Sequence, residues 1–184
     1  MYDNVPQPQL RWLWAVPGRT EQETAELTLS SAVLGSGKNS RLYKKLIHDL
    51  KLATDVSVGV QKFELSSIFN ITVTLKPDAD LNHVKQIVES TLAAYLDKGP
   101  EKKELDRVKA ILDGSAIRSM ESVSGKGRML AQGQLYANDP NFINKSLHWM
   151  NSASQKDVIK TARKWLSTGY YHLSILPHGS HKAG

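Results

Sequence analysis

The segment of residues 34–61 constrains the fold more than any other part of this sequence. A glycine-rich turn opens it, a basic amphipathic helix follows, and the chain then turns directly into a strand. Leu42, Leu46 and Leu50 recur every four residues, which predicts one apolar stripe along the helix. Over residues 52–61, β-favouring side chains alternate with small or polar ones, which is typical of a half-buried strand. We therefore expect a rigid element with a mobile tip, an arrangement suited to holding a ligand.

Three other segments alternate like strands. Residues 9–16 are apolar on both faces, which predicts a central strand, whereas residues 67–76 have one polar face and residues 170–176 form the last strand. About six residues separate the segment 67–76 from the strand before it, a hairpin length that predicts an antiparallel pair. Helical periodicity predicts further helices over residues 20–33, 81–97, 101–119, 129–136, 140–149 and 154–166.

Several of these helices begin at residues that commonly cap helices. Thr20, Asp80 and Ser154 each carry a side-chain oxygen that can accept a hydrogen bond from the first helical turn. The two glycines Gly125 and Gly127 predict a break between the long helix over residues 101–119 and the short helix over residues 129–136.

The length of the chain and the order of its elements predict the fold class. Residues 1–184 are enough for a single α+β domain, with a mainly antiparallel sheet of four to five strands and helices packed on one face. The net charge of +6 is spread over the chain with no run of five or more Lys or Arg residues, which favours a solvated basic surface. Aromatic and basic residues do not interleave either, so we expect no nucleic-acid partner. No apolar run approaches the roughly 18 residues of a membrane span.

No self-sufficient catalytic constellation is visible in the sequence. The absence of cysteine excludes disulfides, thiolate nucleophiles and cysteine-ligated zinc. None of the six histidines lies in H-E-x-x-H or H-x-x-E-H, and the only close pair is His178 and His181 near the C-terminus. Neither G-x-S-x-G nor the phosphate-loop spacing occurs. The sequence thus predicts that this chain alone binds no zinc with structural affinity and hydrolyses no peptide.

The segment LGSGKNSRLYKKL at residues 34–46, followed by LATDVSV at residues 52–58, resembles a family signature. It is similar to the "LGGGxxSRLYxxL…LAxxVS" segment of the pitrilysin and mitochondrial-processing-peptidase type of zinc metallopeptidase. Residues 8–14 resemble the strand that opens the second domain of that family, and GPEKKEL at residues 99–105 resembles its "GPTxxEL" helix start. The resemblance covers nearly the whole chain.

This resemblance implies a function for the chain. The family builds its enzymes from two homologous α+β domains, and only the first carries the inverted H-x-x-E-H zinc motif. This chain lacks that motif and resembles the second, C-terminal, metal-free domain of a bacterial zinc protease, cut from a longer chain. The implied function is a non-catalytic domain that closes a chamber and positions a peptide or unfolded protein for a homologous zinc-bearing domain or subunit. Zinc is expected in that partner, and the periplasm or cell envelope is the implied compartment.

An alternative implied by the same resemblance is a binding or structural module with no peptidase activity, like the core subunits of respiratory complexes that share the fold. An H-x-x-E-H domain beside this one in the full-length protein would separate the two interpretations. Substrate identity and oligomeric state are not predicted.

The resemblance also implies where active relatives contact substrate. Their second domain contributes an Arg and a Tyr seven residues apart, and the alignment places these positions at Ile47 and Thr54. Neither side chain can replace the original, so we expect a vacated functional site. Thr54 is expected to reach solvent, although its alternation with Val56 and Val58 argues for burial.

Four further residues of the signature segment are candidate substrate contacts. Gly35 and Gly37 correspond to a substrate loop in processing-peptidase relatives, although the favoured interpretation is that they satisfy backbone geometry. Arg41 is suited to contacting a substrate carboxylate or backbone, although a role in holding the turn is favoured. For Tyr43, packing is favoured over contact. The turn and its helix are expected to face the partner domain.

Overall fold

The computed structural model describes residues 2–3, 5–167 and 169–177, and within them one sheet organises the chain. The strands lie in the order β1-β5-β2-β4-β3. Neighbouring strands are antiparallel except for the two-residue β1, which pairs parallel with β5. Their bounds are β1 Tyr2–Asp3, β2 Gln9–Pro17, β3 Ala53–Gln61, β4 Ser66–Leu75 and β5 Tyr171–Pro177. The predicted α+β fold with a mainly antiparallel sheet of four to five strands is confirmed.

Within the described residues, seven α-helices connect or follow these strands. α1 contacts β2, β3 and β4, and α7 contacts β2, so these two helices cover the sheet directly. The bounds are α1 Gln22–Gly35, α2 Arg41–Tyr43, α3 Leu81–Lys98, α4 Lys102–Glu121, α5 Val123–Ala137, α6 Phe142–Ser152 and α7 Gln155–Leu166. A π-helical turn, Lys44–Asp49, continues α2. No helix in the described part of the chain combines the length and hydropathy that a membrane span needs.

The predicted central position of β2 is confirmed, because β2 pairs with β5 on one side and β4 on the other. On its helix-covered face, Trp12 lies opposite Ile71 and Trp14 opposite Phe69, and all four side chains are buried. The rings of Trp14 and Phe69 meet edge to face with centroids 5.7 Å apart. Ala15 on the other face is exposed, so the sheet has one dry and one wetter side.

Two of the three predicted helix caps are confirmed, and one is wrong. Asp80 accepts from the backbone of Asn82 at 2.8 Å, and Ser154 exchanges hydrogen bonds with Asp157 in a capping box. α1 begins two residues later than predicted, so Thr20 lies outside it. The Thr24 hydroxyl instead donates to the carbonyls at the end of β2, which fixes the start of α1 against the sheet.

The predicted break at Gly125 and Gly127 is also wrong, because α5 runs through both residues. Ser122 caps this helix by accepting from the Gly125 N–H at 3.0 Å. A Cβ on Gly125 would lie 1.8 Å from the carbonyl oxygen of Ser119. Gly125 is therefore needed for a sharp reversal between α4 and α5, where two helices follow each other without a loop.

The predicted amphipathic helix after the glycine-rich turn is not one continuous α-helix. Leu42 and Leu46 are buried, as predicted, but Leu50 is 43% exposed. The Leu50 N–H donates to Lys45, five residues earlier, so the last turn is wider than an α-helical turn. This wider turn rotates Leu50 away from the apolar stripe, and Lys51 then leaves the helix with a positive φ of 53°.

Candidate functional site

The two glycines of the signature segment occupy different environments. Gly35 is the buried last residue of α1, and a Cβ there would lie 2.2 Å from Cγ2 of Val58 on β3. Gly37 is exposed and has a φ of +76°, which side chains rarely adopt. The Ser40 hydroxyl donates to the Gly37 carbonyl at 2.7 Å and closes the turn. Close packing explains Gly35 and backbone geometry explains Gly37, so a role in substrate contact stays a prediction for both.

Arg41 is held by partners from two other helices. Its guanidinium donates to both carboxylate oxygens of Glu104, at 2.9 and 2.6 Å, and to the Gly99 carbonyl at 2.9 Å. The group also lies 5.2 Å from the centroid of the Tyr95 ring, whose hydroxyl donates to Ser30 at 2.9 Å. We call these five residues the Arg41 cluster. The cluster ties the signature segment to α1 and to the junction between α3 and α4.

The charges within the Arg41 cluster stabilise each other. Hydrogen bonding to Glu104 raises the pKa of Arg41. Burial opposes ionisation of Glu104, but the hydrogen bonds from Arg41 and from the Glu101 N–H outweigh it and lower the pKa of Glu104. Burial raises the pKa of Tyr95 to about 12. At neutral pH the cluster therefore contains one ion pair and a neutral phenol, and little of the Arg41 charge is left for a ligand.

Thr54 is exposed as expected, and a β-bulge rather than the strand end is the reason. Ala53 lies opposite Leu75 and Asp55 opposite Thr74, which leaves Thr54 as the extra residue. Its hydroxyl donates to the side chain of Gln7 at 2.7 Å. The bulge also shifts the alternation of β3, so that Ala53 and Val56 are both buried.

Ile47 and Tyr43 are half-buried, and Ile47 packs against the core. Near them, an open groove of about 420 Å³ runs between the π-helical turn and α3. Lys44 and Lys45 line it, together with Arg41 and Asp49. The groove presents cations and hydroxyls to solvent, and its lining residues include no nucleophile with an activating base.

Metal ligation is not supported by the described residues, which contain no group of three or more His, Cys, Asp or Glu side chains able to hold a metal ion. The pair His178 and His181 lies outside the described residues. Among the described histidines, His48 is exposed and its ring lies 2.8 Å from the carboxylate of its neighbour Asp49.

Sequence reasoning missed a second feature, a cavity of about 180 Å³ at the far end of β3. Arg19, from the turn between β2 and α1, and Lys62, directly after β3, both line it. These two cations are 43 positions apart in the sequence and belong to no motif. No local sequence pattern connects them, so the sequence contains no signal from which this cavity could be predicted.

The fold is that of an α+β domain, and the residues 34–58 that carry the signature serve mainly to pack its helices and sheet together. The described residues contain no catalytic constellation. The family model for the Peptidase M16 inactive domain matches residues 1–112. The chain belongs to this family of inactive peptidase domains.

Known relatives agree with this assignment. The uncharacterized zinc protease YmxG of Bacillus subtilis is 24% identical over 155 residues, which cover 84% of this chain and 38% of the relative. The chain therefore spans less than half the length of this relative. The inactive peptidase domain of a zinc protease from Bordetella parapertussis has a TM-score of 0.86 at 18% identity, covering 100% of this chain and 98% of that one. The periplasmic protease PqqL from Escherichia coli has a TM-score of 0.75 at 15% identity, covering 96% of this chain and 20% of that one.

Proposed function

We propose that this chain is the non-catalytic partner domain of a zinc-dependent metalloendopeptidase. It closes a chamber around a peptide or unfolded protein and positions it, while a separate zinc-bearing domain performs hydrolysis. The observation that carries the proposal is that the chain belongs to the inactive-domain family. In addition, the chain matches only 38% of the length of a zinc protease relative. In such an enzyme, zinc polarises the scissile carbonyl and activates water, and this chain supplies positioning.

The groove beside the π-helical turn supports a positioning role. Lys44 and Lys45 are exposed and line it, so their ammonium groups are free to approach a peptide backbone or carboxylate. The Arg41 cluster fixes the helix that carries them. We propose that this face and the exposed Thr54 bulge turn toward the zinc-bearing domain, with Ile47 and Thr54 marking the vacated Arg and Tyr positions.

The periplasm is the proposed compartment. The support is the similarity in fold to the periplasmic protease PqqL. Fractionation of cells that produce the full-length protein, followed by detection with an antibody, tests this proposal separately from activity.

The test of the proposed function combines this chain with a purified H-x-x-E-H domain from the same genome. Hydrolysis of a quenched fluorescent peptide is measured for each component alone and for an equimolar mixture. We expect no turnover by this chain alone and a gain of at least tenfold when it joins the zinc-bearing domain, since positioning groups contribute on this scale or above.

The matched variant changes Ile47 to Arg and Thr54 to Tyr together. Because both changes restore groups that active relatives carry, we expect turnover of the mixture to rise by roughly tenfold, about 1.4 kcal/mol of transition-state stabilisation. A mixture no faster than the zinc-bearing domain alone, with every tested H-x-x-E-H domain, would contradict the proposal and favour a structural module.

A further inference from the structure

The cavity at the far end of β3 is built by close approaches of the backbone. A Cβ on Gly18 would lie 2.2 Å from the carbonyl oxygen of Glu64, so only glycine allows the turn after β2 to touch the β3–β4 connection. The Arg19 N–H then donates to the Phe63 carbonyl at 2.9 Å. On the opposite wall, a Cβ on Gly133 would lie 2.4 Å from the carbonyl oxygen of Asp139, which brings the start of α6 against the end of α5. We call the resulting cavity the Arg19–Lys62 pocket.

Two cations face this pocket without a counter-charge. Within the described residues, neither the Arg19 guanidinium nor the Lys62 ammonium forms an ion pair or a side-chain hydrogen bond. Glu21 and Glu64, the carboxylates nearest to them in sequence, are exposed and pair with neither. Burial, and then the nearby Arg19 charge, lower the pKa of Lys62.

Among the described residues, the Arg19 guanidinium has an aromatic ring beside it and no side-chain hydrogen-bond acceptor. Its guanidinium carbon lies over the Tyr136 ring, 4.0 Å from the ring centroid, which is within the range of a cation–π interaction. A cation–π contact uses the charge of the guanidinium and none of its N–H groups as hydrogen-bond donors, so these donors remain able to bind a carboxylate. Arg19, Lys62 and Tyr136 are the titratable groups that line the pocket.

The remaining walls are apolar or neutral. Met129, Phe142 and Ile143 supply apolar surface, and Ser146 supplies a hydroxyl. The pocket volume of about 180 Å³ exceeds the roughly 30 Å³ share of one water molecule several times over. This is room for a carboxylate with an apolar side chain beside it.

From this geometry we propose that the Arg19–Lys62 pocket binds the carboxylate of a peptide. The unpaired cations favour a negatively charged group in the pocket, and the apolar walls favour an aliphatic or aromatic side chain next to that group. The choice of a peptide as the carrier of the carboxylate rests on the proposed function, whereas the preference for an anion rests on the pocket alone.

This pocket is separate from the vacated Arg and Tyr positions. Thr54 is the second residue of β3 and Lys62 follows its last residue. At about 3.3 Å per residue, the eight steps between them span about 25 Å along the strand. A peptide held here by one carboxylate is therefore anchored at the opposite end of β3 from the contacts that active relatives make.

The experiment titrates the full chain with three short peptides and follows its amide resonances. The first is acetyl-Ala-Ala-Leu with a free terminal carboxylate, the second is its carboxamide, and the third is acetyl-Ala-Glu-Leu carboxamide, which carries only a side-chain carboxylate. We expect the carboxamide of the first peptide to bind at least tenfold more weakly than the free acid. Binding of the first or of the third peptide shows whether the pocket takes a chain end or an acidic side chain.

Matched variants separate the pocket from the net charge of the chain. Lys62→Met and Arg19→Gln are each expected to weaken binding of the free acid about tenfold, whereas Lys156→Met, an exposed residue on α7, changes it less than twofold. Affinity in the unmodified chain should fall as pH rises through the pKa of Lys62, and Lys62→Met should lose this dependence.

Equal binding of the free acid and both carboxamides, or equal losses in Lys62→Met and Lys156→Met, would overturn the proposal. Thermal unfolding by circular dichroism checks that each variant is folded. Because the titration uses this chain alone, it can succeed when reconstitution with a zinc-bearing domain fails, and the reverse also holds.

Discussion

The Arg41 cluster and the Arg19–Lys62 pocket place cations in similar half-buried positions but treat them differently. Arg41 meets a bidentate carboxylate and a backbone carbonyl, so its charge is neutralised within the fold. Arg19 and Lys62 meet an aromatic ring and each other, with no carboxylate partner among the described residues. The Arg41 charge is therefore used within the fold, whereas the charges of Arg19 and Lys62 remain available to an external anion.

The largest expected effect comes from breaking the Arg41 cluster. Arg41→Ala removes the partner of a half-buried carboxylate and frees the Gly99 carbonyl, so we expect a loss of about 3 kcal/mol in the free energy of unfolding. Denaturant unfolding at neutral pH measures it. Lys102→Ala, which removes an exposed pair with Asp106, is the control and should cost less than about 0.5 kcal/mol. Equal losses in the two variants would mean that the Arg41–Glu104 pair contributes no more to stability than an exposed ion pair.

The glycines of the signature segment give the next largest effect. Gly35→Ala places a methyl group against Val58 and should destabilise the chain by about 2 kcal/mol. Gly37→Ala meets no atom within 4 Å and bears only the strain of its positive φ, so we expect about 1 kcal/mol. Denaturant unfolding of both variants measures the two losses in the free energy of unfolding and shows which loss is larger. A reversed order would mean that the turn, and not the contact between α1 and β3, controls this segment.

The smallest effect has the opposite sign. Lys62→Met removes a half-buried cation that sits beside Arg19, and we expect a gain of about 1 kcal/mol at pH 7. The folded-state pKa of Lys62 lies below its ordinary value of 10.5, so the protonated form is disfavoured on folding. The gain should therefore shrink as pH rises from that lowered pKa toward 10.5. A loss of stability at pH 7 would show that the ammonium has a partner in the folded chain.

Most of the sheet could be predicted from sequence because period-two alternation reports which face of a strand is buried. The central place of β2 and the hairpin of β3 and β4 follow from residues 9–16 and 67–76 in this way. The exposure of Thr54 is predicted from its place near the start of the strand, but its cause is a bulge that exists only in the pairing with β4. The exposure of Leu50 could not be predicted, because a periodicity of four does not show where an α-helix widens into a π-helical turn.

The candidate sites were less predictable, since they depend on contacts between distant segments. The bidentate bond between Arg41 and Glu104 joins residues 63 positions apart. The Arg19–Lys62 pocket depends on Gly18 approaching the β3–β4 connection, which no local pattern shows. The low helix propensity of glycine predicts a helix break at Gly125. Instead, Gly125 lies within α5, and glycine is needed there because the backbone of Ser119 in α4 approaches too closely for a side chain.

Metal analysis of the full chain, produced without a tag, tests most directly the claim that this is a metal-free partner domain. The sample is equilibrated with excess zinc, dialysed, and measured by atomic emission beside a variant in which His178 and His181 are both changed to Asn. We predict far less than one zinc per chain in both samples. One zinc retained per chain, in the unmodified protein and in the double variant alike, would place a metal site in the body of the domain and contradict the account.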